Sequence, residues 1–65
     1  MLEDAYLYNI PANADVSDDE MMVANGMGMD AYDDGKSIHD NPYKNRHLRE
    51  TWCQGWRSRE AHREV

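Results

Sequence analysis

Apolar and small residues recur at helical spacing in two stretches of this chain, and nowhere do they alternate as a half-buried strand requires. In the first stretch Met21, Ala24, Gly28, Ala31 and Gly35 fall three and four residues apart, with Tyr32 beside them, so they line one face of a helix. Its start is marked by Ser17-Asp18-Asp19-Glu20, a capping-box pattern. There the serine hydroxyl and the glutamate carboxylate take up backbone N–H groups that the first turn leaves unpaired. The three carboxylates also complement the positive end of the helix dipole. Gly35 suits the left-handed conformation that ends a helix, so the pattern predicts a helix over 18–34.

The second stretch puts Tyr43, Leu48, Trp52, Gly55 and Trp56 on one face. Asn41 is a good N-cap residue, and Pro42 suits a first helical position, where its missing N–H does no harm. The second predicted helix spans 42–62, after a short connection over 36–41. Glycine inside a helix costs up to about 1 kcal/mol, and the first helix carries both Gly26 and Gly28. A bulky neighbour that must approach closely offsets that cost. Small residues on one helix and indoles on the other therefore predict an all-α fold, a two-helix hairpin with Trp52 and Trp56 seated on Ala24, Gly28 and Ala31. The expected core is Gly28, Ala31, Tyr43, Leu48, Trp52 and Trp56.

Residues 1–16 precede the hairpin as an arm, partly extended or disordered. Leu2, Tyr6, Leu7, Tyr8 and Ile10 fit neither period, Pro11 ends the run, and Pro-Ala-Asn-Ala-Asp reads as a linker. A mobile terminus, a segment laid over the core and a partner-binding segment are all open. The expected organisation is an arm over 1–16 and one two-helix domain over 17–65.

Composition sharpens this picture. A chain of 65 residues is too short for two domains or for a large enzyme fold with a deep cleft. Eight residues are Leu, Ile or Val and none is Phe, so five Met, four Tyr and two Trp must carry the core. Cys53 is alone, which excludes an internal disulfide. The opening residues have no basic stretch and no apolar run of signal-peptide length, and no run approaches the roughly 18 apolar residues that cross a bilayer. A small cytoplasmic protein with no membrane partner is expected.

Charge divides the chain. Residues 1–42 hold ten acids against Lys36, a net −9, and residues 43–65 hold six bases against three acids, a net +3, which together give −6. The acidic half should repel nucleic acid, while the basic half suits phosphate or an acidic protein surface. Lys44, Arg46, Arg49, Arg57 and Arg59, with Arg63, form the candidate basic face of the second helix. Those bases equally serve to offset the acidic first helix, or to form pairs such as Arg46–Glu50 within one helix. Asp30, Asp33 and Asp34 form a candidate acidic face, crowded at the negative end of the helix dipole.

Motifs for catalysis are lacking. His39, His47, Cys53 and His62 are spaced by eight, six and nine residues, which matches no zinc pattern. Asp30, Asp33 and Asp34 lack the alternation of a calcium loop. Gly35-Lys36-Ser37 lacks the upstream glycine of a phosphate-binding loop. A protein without enzymatic activity, cofactor, metal or small-molecule substrate is expected, and Trp52 and Trp56 read as core rather than as base-stacking platforms.

Gly28-x-x-Ala31-x-x-x-Gly35, then Pro42-Tyr43, then Trp52-x-x-Gly55-Trp56-Arg57, is a pattern that resembles the ribosome modulation factors and their phage- and plasmid-borne relatives. The likeness covers about residues 24–61, and the Pro-Tyr with Trp-x-x-Gly-Trp combination is its specific part. It implies two helices joined by a short linker, and a translation regulator of the ribosome-hibernation kind that binds small-subunit rRNA through the basic face. The family's namesake is strongly basic, whereas this chain is acidic in its first half. A second expectation follows from that charge: a phage-type inhibitor whose acids imitate nucleic acid on a basic host protein.

Overall fold

The structure is a computed structural model that describes residues 8–62. Helix α1 spans Asp18–Asp33 and helix α2 spans Arg46–Ala61, with a single 3-10 turn over Ile38–Asp40 between them. No strand occurs among the described residues. The architecture is the expected all-α hairpin. Residues 1–7 of the arm, with Leu2, Tyr6 and Leu7, lie outside the described residues, as does Arg63.

Helix α1 begins and ends where its sequence signals stand. Ser17 Oγ accepts from the Glu20 N–H at 3.2 Å, and Glu20 Oε1 accepts from the Ser17 N–H at 2.8 Å, closing the capping box. At the far end Gly35 has a φ of +83°. Its N–H donates to the Tyr32 carbonyl at 3.0 Å, while the Lys36 N–H donates to the Ala31 carbonyl at 2.9 Å. These two bonds make a Schellman cap, which satisfies carbonyls the last turn leaves open.

The two helices meet backbone to backbone. A Cβ added to Gly28 would overlap the Trp52 carbonyl and lie 3.0 Å from the Trp56 nitrogen. A Cβ added to Gly55 would overlap the Asn25 carbonyl. Gly28 therefore seats the backbone of α2 and not an indole, which corrects that part of the expected packing, while Trp52 does pack with Ala24 and Ala31. Trp52 passes to one side of this contact and is 2% exposed, in a core with Ala24, Ala31, Tyr43 and Leu48. Trp56 is half-buried instead of fully in the core. Its ring meets Tyr32 edge-on at 5.1 Å, and its Nε1–H donates to the Lys36 carbonyl at 2.9 Å, fastening the connection to α2.

The start of α2 is a second correction. The helix begins at Arg46, four residues after the expected Pro42, and its cap is Asn45 in place of Asn41. Asn45 is wholly buried, and every hydrogen-bonding group of its side chain is used. Its Oδ1 accepts from the His47 and Leu48 N–H groups at 3.0 and 3.2 Å. Its Nδ2 donates to the Pro11 and Ala14 carbonyls, both at 2.8 Å. Asn41 instead braces the connection, accepting from the Tyr43 N–H at 3.1 Å and donating to the Arg49 carbonyl at 2.9 Å. Residues 42–44 are consequently non-helical and deliver Tyr43 to the core, edge-on to Tyr8 at 5.1 Å.

Asn45 also settles the described part of the arm. Tyr8, Ile10 and Val16 pack on the core, and the Arg46 N–H reaches the Ala12 carbonyl at 3.3 Å. Residues 8–16 are thus laid over the hairpin, one of the three arrangements open from sequence.

Two stability outcomes are expected. Gly28→Ala forces the helices apart against backbone atoms, which have no rotamer to yield, and should cost about 1–3 kcal/mol. A melting temperature unchanged by that variant would contradict the close approach. Asn45→Ala removes a cap, about 1 kcal/mol, and the two amide bonds to the Pro11 and Ala14 carbonyls, about 0.5–1.5 kcal/mol each. Limited proteolysis should then cut first within residues 8–16, where the two lost anchors lie.

Candidate functional site

The five expected basic residues do not share one face. The buried side of α2 is Leu48, Trp52 and Gly55. Residues near the opposite side at helical spacing are Arg46, Glu50 and Arg57, all exposed, with exposed Lys44 just ahead of the helix. Arg49 turns back instead, and its guanidinium donates to the Tyr43 carbonyl at 2.8 Å. Arg59 turns to the other helix and pairs with Asp33 at 3.0 Å. Asp33, with a smaller contribution from Asp30, raises the Arg59 pKa above its ordinary value, so that side chain stays cationic. Three of the five cations, Lys44, Arg46 and Arg57, are left facing outward.

Asp30, Asp33 and Asp34 are all exposed at the end of α1. Asp33 is half engaged by Arg59, and Asp34 is the C-cap residue, its N–H on the Asp30 carbonyl at 2.9 Å. The intramolecular offset of charge runs through this inter-helix pair. Both partners are about half exposed, at 51% and 47%, so solvent and salt keep its contribution small.

A half-open groove of about 470 Å³ lies between the arm, α1 and the connection. Met27, Ala31, Pro42 and Trp52 give it apolar walls, and Tyr8 of the arm also lines it. Asp30, Asp34, Asp40 and Lys36 stand at its polar edge. The volume falls within the range of small-ligand pockets, about 300–1,000 Å³. No cysteine or histidine lines it. Three carboxylates against one amine suit a cationic or apolar group, not a phosphate. Sequence reasoning missed this groove because Tyr8, Asp34, Asp40 and Trp52 converge only through the tertiary fold.

Other candidates are dispersed. Cys53 is half-buried and receives the Asn41 amide at 3.5 Å, while the His62 Nδ1 lies 2.8 Å from the Ser58 carbonyl. Among the described residues, no three His, Cys, Asp or Glu side chains are grouped to hold a metal ion. Among them, too, no helix is long and apolar enough to cross a membrane. Compared with family models, with curated proteins and with solved structures, the chain finds no match.

The three aspartates should separate in thermal melts at low salt. Asp34→Asn removes a charge from the negative end of the dipole and should stabilise by a few tenths of a kcal/mol. Asp33→Asn relieves the same strain but strips Arg59 of its partner, so its melting temperature should match or fall below the wild type. Equal shifts for the two variants would contradict the pairing.

Proposed function

We propose that this protein is a non-catalytic, stoichiometric regulator of the ribosome-modulation kind, meeting small-subunit rRNA through the outward side of α2. The observation that supports this reading is the sorting of charge between the helices, the outward side of α2 carrying Lys44, Arg46 and Arg57 against Glu50. The phosphate-facing residues are Lys44, Arg46 and Arg57. The acids of α1 lie on the other helix, and the molecule is about 20 Å across its short axes. Free charges are screened over about 8 Å at physiological salt, so the acidic side does little to cancel attraction at the basic one. The net charge of −6 therefore does not exclude contact with RNA. Affinity is expected to be modest and salt-sensitive, because three cations neutralise few phosphates.

Imitation of nucleic acid by the acids of α1 is the weaker reading. Its carboxylates stand at the two ends of the helix, Asp18 to Glu20 and Asp30 with Asp33, and residues 21–29 between them carry no charge. That gap is about 15 Å at 1.5 Å per residue, whereas duplex DNA presents a charge about every 1.7 Å along its axis.

Co-sedimentation with bacterial ribosomes tests the proposal. With three phosphate contacts, raising salt from about 50 to 200 mM should weaken binding about 20- to 40-fold. Arg46→Glu combined with Arg57→Glu should abolish it, while Arg49→Gln should weaken it far less, since Arg49 serves the fold. Wild-type protein that stays in the supernatant at low salt would remove this function.

A further inference from the structure

Three of the four glycines have a use within the fold: Gly28 and Gly55 admit the opposite helix, and Gly35 supplies a positive φ. Gly26 has none. A Cβ placed there meets nothing within 4 Å, although the residue stands in the middle of a 16-residue helix. The chain thus carries the penalty of a helical glycine, up to about 1 kcal/mol, with no internal contact to offset it.

Its surroundings on the helix surface are apolar on one side and acidic beyond. Met22 and Val23, four and three residues earlier, are 69% and 41% exposed and are the large hydrophobic residues left open to solvent among those described. Asp30 lies four residues later and Asp19 two turns earlier, while Asp33, two turns later, is engaged by Arg59. Gly26 is therefore the low point of an outward face with an apolar centre and carboxylates at both ends. Inside the molecule, Gly28 and Gly55 use the same device: a helical glycine flanked by larger residues lets a second helix backbone come close.

We propose that this outward face of α1 docks an amphipathic helix of a partner protein, apolar at its middle and cationic at both ends. The charge decides the occupant. Helix α1 carries five acids and no base, so a second copy presenting the same face would set carboxylates against carboxylates. RNA is excluded for the same reason. A cationic helix of about four turns matches the length of α1 and meets both acidic ends while its small or apolar centre sits on Gly26. This surface lies on the helix opposite to the rRNA-facing cations and does not depend on them.

Fluorescence anisotropy with the full-length protein tests the proposal. The probe is a fluorescein-labelled 16-residue synthetic helix with a Leu/Ala stripe and two lysines at each end, beside a counterpart carrying glutamates in their place. The lysine peptide should bind at least tenfold tighter than the glutamate peptide, and less tightly as salt rises. Gly26→Gln adds a helix-favouring side chain into open space. It should melt at a higher temperature than wild type yet bind the lysine peptide at least tenfold more weakly. Arg46→Glu with Arg57→Glu should leave peptide binding unchanged, which separates this face from the ribosomal one. The proposal is overturned if the lysine peptide does not bind, if both peptides bind alike, or if Gly26→Gln binds as wild type does. A wild-type dimer that Gly26→Gln converts to monomer would also overturn it, since the face would then belong to a second copy.

Discussion

Everything in this hairpin follows from how closely its two helix backbones meet. With Gly28 against the Trp52–Trp56 stretch and Gly55 against Asn25, there is no room for side chains between the helices at their crossing. The large residues must then spread to either side. Trp52 goes inward, onto Ala24 and Ala31 with Leu48 and Tyr43, while Trp56 goes to the connection and closes it through the Lys36 carbonyl. This geometry explains how eight aliphatic residues suffice. Close helices need little filling, and a few aromatic side chains cover the remaining gap.

A domain of this size still needs more than a core, because it buries only about 60% of the surface its unfolded chain exposes. Asn45 supplies a staple without a disulfide or metal. Its two amide hydrogens and two accepted bonds join two separate segments: the Pro11–Ala14 turn of the arm and the first turn of α2. A buried amide is costly when partly satisfied, but here all of its groups are paired. The arm is thereby held by its backbone, which leaves its sequence free of any strong apolar period.

The legible features were those set by local chemistry. Ser17 with Glu20, and Gly35 after the last turn, mark the ends of α1 because caps are made by neighbours in sequence. The apolar spacing identified Trp52, Leu48 and Ala31, since burial follows the helical period, whereas Tyr43 reaches the core from the non-helical residues 42–44. The start of α2 was misread because Asn41-Pro42 and Asn45 are both competent caps, and the choice depends on carbonyls of Pro11 and Ala14 far away in the chain. The basic face was misread for a related reason. Periodicity sets Arg59, four residues after Gly55, on the side that faces α1, but only the fold brings Asp33 within its reach and the Tyr43 carbonyl within reach of Arg49. The groove beside Trp52 was invisible for the same cause.

The residues that carry the resemblance to ribosome modulation factors are packing residues almost without exception. Gly28, Ala31, Gly55 and Trp52 form the helix contact, Gly35 ends α1, Tyr43 fills the core and Trp56 closes the connection. Apart from Pro42 and Arg57, which are exposed, a pattern of this kind specifies how two helices meet and not what either presents to solvent. The outward faces are accordingly free to differ in sign. On α2 that face is Arg46, Glu50 and Arg57, and on α1 it is Met22, Gly26 and Asp30. Each lies on the far side of a helix whose buried stripe is already committed, so a change there has little effect on the crossing. An acidic helix and a basic one can thus share a marginal fold: their charges meet at the exposed Arg59–Asp33 pair, and their outward surfaces remain independent.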